Sequence, residues 1–213
     1  MLATFPGGGA SSGSAVAVAT GQVSLSISSD TGGSGHVPAA LNNIVGLKST
    51  PGVIDTEGFL YCNRTFDVAP VFALTVADAA QVFEVLTGQQ RPHTDTAGDN
   101  ASVGFRFGVP HEGQLQFFGN QHVRACYLDA VEMLAGLGGE AVRIDYTPFS
   151  EAIANPLGHA AISVPAGFTD RGLPFGLSLV GPASSEHALL ALSARSEGRV
   201  ARPLGATDLR VRT

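Results

Sequence analysis

Lysine is nearly missing from this chain: among 213 residues only Lys48 carries an ammonium group. Lysine and arginine together number 12 against 18 acidic residues, for a formal charge of −6, and no basic run occurs. That balance excludes a nucleic-acid surface as the main business of the protein. Cys62 and Cys126 are the only cysteines, too few and too unpatterned for a disulfide framework or a zinc site, and a reducing cytoplasm is the expected location. No apolar run approaches the roughly 20 residues of a membrane span, and no signal-peptide pattern precedes the first glycines. The histidines at 93, 111, 122, 159 and 187 show no ligand spacing, so no metal and no cofactor are called for. Charged residues make up only 14% and hydrophobic ones 44%, which argues against disorder. A chain of this length can bury a core and defaults to one domain, residues 1–213.

Glycine and serine, by contrast, are concentrated near the start. A first turn reads Gly7-Gly8-Gly9-Ala10-Ser11-Ser12-Gly13-Ser14-Ala15, and a second reads Asp30-Thr31-Gly32-Gly33-Ser34-Gly35-His36-Val37-Pro38-Ala39. Between them, residues 23–28 alternate apolar and hydroxyl side chains, the pattern of a strand, expected in the interior of a sheet. Each turn opens onto a short helix, over 14–19 and near 38–42, where Pro38 suits a first helical turn. Such turns leave backbone N–H groups converging on one point, where they can bind an anion or an oxyanion. Ser34 lies inside the second turn, with its hydroxyl placed to face the same pocket. Two other motifs fail: Ser14 stands where a phosphate loop requires lysine, and Gly33-Ser34-Gly35 lacks the spacing of a nucleophile elbow.

Downstream, helices and strands alternate. Pro51-Gly52 marks a turn, and residues 53–61 suggest a short strand and loop. Thr75 and Asp78 form a capping-box pattern for a helix to Leu86, with Val76, Ala79, Ala80, Phe83 and Leu86 on one face and Gly88 as its stop. Residues 89–102 read as a polar surface loop. Strands are expected at 105–109, 141–144, 161–165 and 175–180, a helical turn at 148–154, and helices at 120–137 and 186–197. The fold class is α/β, a mixed β-sheet core covered by helices.

The two turns, followed by Asn43-Ile44-Val45-Gly46-Leu47-Lys48-Ser49-Thr50, resemble the amidase signature enzymes. That family reads Gly-Gly-Ser-Ser-Gly-Gly-Ser-Ala, a strand, Asp-Thr-Gly-Gly-Ser-Ile-Arg-x-Pro-Ala, and Gly-x-x-Gly-Leu-Lys-Pro-Thr. Within it the chain looks most like allophanate hydrolases. That likeness is carried by Ser11 to Ala19, Val37 to Leu47, Cys62-Asn63-Arg64-Thr65-Phe66-Asp67, Val71 to Thr75, and Val164-Pro165-Ala166-Gly167-Phe168.

The resemblance implies hydrolysis of C–N amide bonds by a serine–serine–lysine arrangement. Ser34 matches the nucleophile, and the N–H groups of Thr31, Gly32, Gly33 and Ser34 match the oxyanion hole. The second serine, which the family holds in a cis peptide and uses as a proton relay, matches Ala10; Ser11 is the candidate stand-in. His36 replaces a family arginine and is the alternative base. The family lysine lies upstream of the first motif, which here begins within ten residues of Met1, and residues 153–160 stand where allophanate hydrolases carry a long helical segment. The expectation is therefore a truncated, incomplete amidase-signature domain with an internal deletion. It would act weakly, if at all, on a small amide or urea-derived substrate such as allophanate, and its uncovered apolar area would favour a homo-oligomer. Two alternatives stay open: a non-catalytic relative serving as a binding or partner subunit, and the product of an incomplete or rearranged reading frame.

Overall fold

Backbone pairing decides where the two glycine turns end up. The computed structural model describes residues 8–88, 104–150, 157–200 and 202–207. Its strands are β1 (Leu25–Ile27), β2 (Val45–Lys48), β3 (Val71–Ala73), β4 (Phe105–Pro110), β5 (Gly139–Ile144), β6 (Ala160–Phe168) and β7 (Pro174–Gly181). Its helices are α1 (Ser12–Ala19), α2 (Val37–Leu41), α3 (Val76–Thr87), α4 (Gln121–Gly136), α5 (Thr147–Ser150) and α6 (Glu186–Glu197). Five strands form one sheet in the order β1-β3-β2-β6-β7, antiparallel throughout. A separate parallel pair, β4 and β5, is joined through α4. The α/β class holds, with antiparallel and parallel pairing divided between two sheets.

Alternation along the strands builds two cores. Val45, Leu47, Val71, Ala73, Ile162 and Val164 point to one face, where Val76, Ala79, Ala80 and Phe83 of α3 and Leu189 and Leu190 of α6 cover them. Phe72 points to the other face, against Ala15, Val18 and Ala19 of α1 and Ala39 of α2. Phe72 is fully buried there, worth about 2–3 kcal/mol of transfer free energy. The second layer sits close: a Cβ on Gly46 of β2 would lie 2.4 Å from the Gly35 carbonyl oxygen, so only glycine lets the sheet touch the second turn.

Local signals in the sequence act as read for α3. The Thr75 hydroxyl accepts the Asp78 N–H at 3.1 Å, and Gly88 closes the helix in the left-handed region. Asn120 caps α4 in the same manner, accepting from the N–H groups of His122 and Val123. Residues 202–207 return across the molecule to the first motif. Asn43 donates to the carbonyls of Pro203 (2.9 Å) and Gly205 (2.8 Å), and Ala206 N–H reaches the Ala19 carbonyl at 2.6 Å. Arg202 is buried beside Glu197, 2.7 Å away.

Two expectations are corrected. Strand β1 is the edge of the sheet, not its interior. Leu25 and Ile27 lie opposite Ala73 and Val71, on the α3/α6 face, yet they are 40% and 44% exposed because that helical layer stops at β3. Its serines turn the other way: Ser26 and Ser28 bond to Ser14 and Ser11 of the α1 segment. Residues 53–61 form no strand; they make successive turns closed by Val53 N–H to Thr50 and Phe59 N–H to Thr56. The loop read at 89–102 and most of the helical turn at 148–154 lie outside the described residues.

Candidate active site

The two glycine turns meet at Ser34. Gly9 has φ 63°, and a Cβ there would stand 3.0 Å from Ser34 Oγ, so a side chain at this position would press on the hydroxyl. Ala10 donates its backbone N–H to Ser34 Oγ at 3.2 Å. The second turn is anchored at its start by a two-way bridge, Asp30 N–H to Val68 and Val68 N–H to Asp30, each 3.0 Å. It is closed at its end by the Gly33 carbonyl, which accepts the N–H groups of His36 and Val37 and leads into α2.

Asp30 holds this turn from inside. Its carboxylate is fully buried and accepts the Gly33 N–H (2.6 Å) and the Gly35 N–H (2.7 Å), one on each side of Ser34. Burial alone would raise its pKa. His36, whose Nδ1 lies 3.7 Å away, and the two backbone donors outweigh that effect and hold it below the usual carboxylate value. One consequence bears on the four expected oxyanion donors: the Gly33 N–H is already engaged by Asp30. The N–H groups of Thr31, Gly32 and Ser34 bond to no described residue.

The remaining site residues are placed as follows. Ala10, at the position that the resemblance gives to the relay serine, carries only a methyl group, and the described peptide bonds are all trans. The Ser11 hydroxyl is buried; it donates to the Ser29 carbonyl (2.9 Å) and accepts from Ser28 (2.7 Å), turning to β1 instead of Ser34. The His36 ring lies between Asp30 and Gly33 without a hydrogen bond to Ser34. Lys48, at the end of β2, is fully buried and donates to the His159 carbonyl. Burial lowers its pKa to about 8, against the fields of Asp30 and Glu186, which favour the charge.

Sequence reasoning did not assign Asp67 and the loop before it. Thr31 donates its hydroxyl to Asp67 Oδ1. Asp67 Oδ2 accepts the N–H groups of Cys62 (2.6 Å) and Asn63 (3.1 Å). Burial works against the Asp67 charge, but these bonds, that of Thr31 foremost, bring its pKa below the usual value. The loop is thereby fastened to the turn that carries Ser34 through one carboxylate. The signal lay in Cys62 to Asp67, one of the stretches that carry the allophanate-hydrolase likeness.

A serine hydroxyl beside N–H donors that are unpaired among the described residues is an arrangement suited to acyl transfer, and comparison with known proteins decides the lineage. Residues 3–155 match the amidase family model. The chain belongs to the amidase family. It is 33% identical over 151 residues to urea amidolyase of Saccharomyces cerevisiae, a match spanning 68% of this chain and 8% of that protein. It is 34% identical over 148 residues to urea amidolyase of Lachancea kluyveri, spanning 66% of this chain and 8% of that protein. Among solved structures, a serine-to-alanine variant of Kluyveromyces lactis allophanate hydrolase superposes with a TM-score of 0.84 at 23% identity, over 97% of this chain and 52% of that one. The amidase chain thus spans a fraction of the length of its relatives. Among its described residues no helix is long and apolar enough to cross a membrane.

Proposed function

We propose that this amidase-family chain carries the nucleophile half of an amide-hydrolysing site, acting on a small urea-derived amide of the allophanate type. The observation that supports this most is the placement of Ser34, between two N–H groups fixed by Asp30 and next to three that are unpaired among the described residues. In the reaction, Ser34 Oγ adds to the amide carbonyl carbon while its proton leaves to a base. The carbonyl oxygen becomes an oxyanion held by the Thr31, Gly32 and Ser34 N–H groups. Collapse expels the amine, which takes up a proton, and water then frees the acyl group from Ser34.

The proton path is the weak part. A methyl group at Ala10 cannot relay a proton, and Lys48, the one lysine of the chain, is committed to the His159 carbonyl. Slow turnover by this chain alone is the expected behaviour. The missing relay hydroxyl also favours a second reading, a non-catalytic relative that keeps the pocket for binding. Turnover of allophanate by the purified chain and by Ser34→Ala separates them. Slow hydrolysis lost in the variant supports the first reading; no hydrolysis, with ligand binding retained, supports the second.

A further inference from the structure

Two arginines share one cavity where the ends of α4 and α6 come together. The cavity has a volume of about 480 Å³ and is lined by Gly136, Leu137, Gly138, Arg195 and Arg199. Part of it is bare backbone: a Cβ on Gly136 or on Gly138 would meet nothing within 4 Å. Arg195 lies in the last turn of α6, and Gly198 keeps helical backbone beyond it, with φ −66° and ψ −12°. The Arg199 N–H accordingly reaches back to the Ser196 carbonyl at 2.9 Å. Arg195 and Arg199 therefore stand one helical turn apart on the same side.

Neither has a carboxylate partner among the described residues, where the ion-paired arginines are Arg106 with Glu140 and Arg202 with Glu197. Glu197, which lies between the two in sequence, is engaged elsewhere, by Arg202 and by the Val76 N–H at 3.1 Å. Arg195 gives one N–H to the Leu137 carbonyl, which fixes its guanidinium at the cavity. The exposed Arg199 side chain makes no hydrogen bond or ion pair to a described residue. Like charges one turn apart repel. The C-termini of α4 and α6 offset them only in part, at about half a negative charge each against two full positive ones.

We propose that this cavity binds the phosphate group of a small phosphate monoester, gripped by Arg195 and Arg199 beside the bare glycine backbone. Two planar forks offer more N–H donors than one carboxylate can accept, and they suit the several acceptor oxygens and double charge of a phosphate. The cavity shares no residue with the Ser34 turn, and binding there requires no turnover.

The test titrates phenyl phosphate, inorganic phosphate and benzoate into the full chain, followed by the amide shifts of Gly136 and Gly138. Phenyl phosphate is expected to bind at least about tenfold more tightly than benzoate, which has the same ring but a singly charged carboxylate. Arg199→Gln should weaken phenyl phosphate by about tenfold or more. Its far-UV dichroism should not change, since this side chain holds nothing in the fold that is described. Gly136→Asp, which puts a carboxylate into the cavity, should abolish the shifts. Phenyl phosphate tighter than inorganic phosphate supports an ester as the ligand; equal affinities support the phosphate pocket and assign it to the free ion. Benzoate binding as tightly as phenyl phosphate, an affinity unchanged in Arg199→Gln, or no shift at Gly136 and Gly138 with tens of millimolar phenyl phosphate would each overturn the proposal.

Discussion

Ala10 gives its backbone N–H to Ser34 Oγ at 3.2 Å, so residue 10 touches the proposed nucleophile with its main chain and not with a side-chain hydroxyl. The bond orients Ser34 but accepts no proton from it. Ala10→Ser is expected to raise allophanate turnover only modestly, about tenfold or less, because a relay needs a base beyond it. Steady-state rates for the two proteins, each with a Ser34→Ala control, check this. A gain of several orders of magnitude would mean that a working base already stands behind position 10.

Protonation should show at both ends of the pH scale. Asp30 and Asp67 have folded pKa values below their ordinary ones. Their contribution is complete above roughly pH 4–5 and disappears as pH falls through the folded values. Lys48 acts in the other sense. Its folded pKa of about 8 lies below the ordinary 10.5, so between these values the unfolded chain binds the extra proton and stability rises with pH. The rise is on the order of 3 kcal/mol at most. Urea unfolding at pH 7.5 and 9.5 should reveal it, and Lys48→Met should flatten it.

Gly46→Ala should be costly. The added Cβ would meet the Gly35 carbonyl oxygen at 2.4 Å and the Ala39 side chain at 2.6 Å, and neither is the loose end of a flexible chain. A loss on the order of 3 kcal/mol is expected in urea unfolding, with faster amide exchange at Gly33 and Gly35. Gly113→Ala, where a Cβ meets nothing within 4 Å, serves as the silent control.

The edge strand leads to a prediction about association. Val23, Leu25 and Ile27 are exposed, and no charged residue occurs between positions 10 and 29. Natural sheets blunt such edges with charge or proline. Sedimentation of the purified chain should show concentration-dependent association that Ile27→Lys reduces without loss of helical signal. A monomer in both proteins at high concentration would refute this.

Much of the fold was legible because its signals are local. The Thr75, Asp78 and Gly88 caps, the helix over residues 186–197 and the meeting of the two glycine turns each follow from residues close in sequence or from motif order. The place of β1 was not legible, since alternation fixes which residues share a face but not which neighbours a strand has. Its apolar residues read as core, yet the small-residue face of α1 draws the serines inward. The Thr31–Asp67 link joins residues 36 apart through a single side-chain bond, a contact that no local pattern encodes. The burial of Lys48 was not legible for the same reason: it depends on pairing with Ala161 of β6 and on the His159 carbonyl, more than 100 residues away.

The return of residues 202–207 to Asn43 and Ala19 bears on how the protein is made. The Ser34 turn is complete in sequence by residue 37, but β2 beneath it pairs with β6, and Asn43 finds its carbonyl partners about 160 positions later. Contacts of such long range form late and slow folding. During synthesis the Ser34 turn and its anchors at Asp67 and Val68 therefore emerge early, while β2 beneath it lacks its β6 partner, and Asn43 its carbonyls, until nearly the whole described chain has left the ribosome.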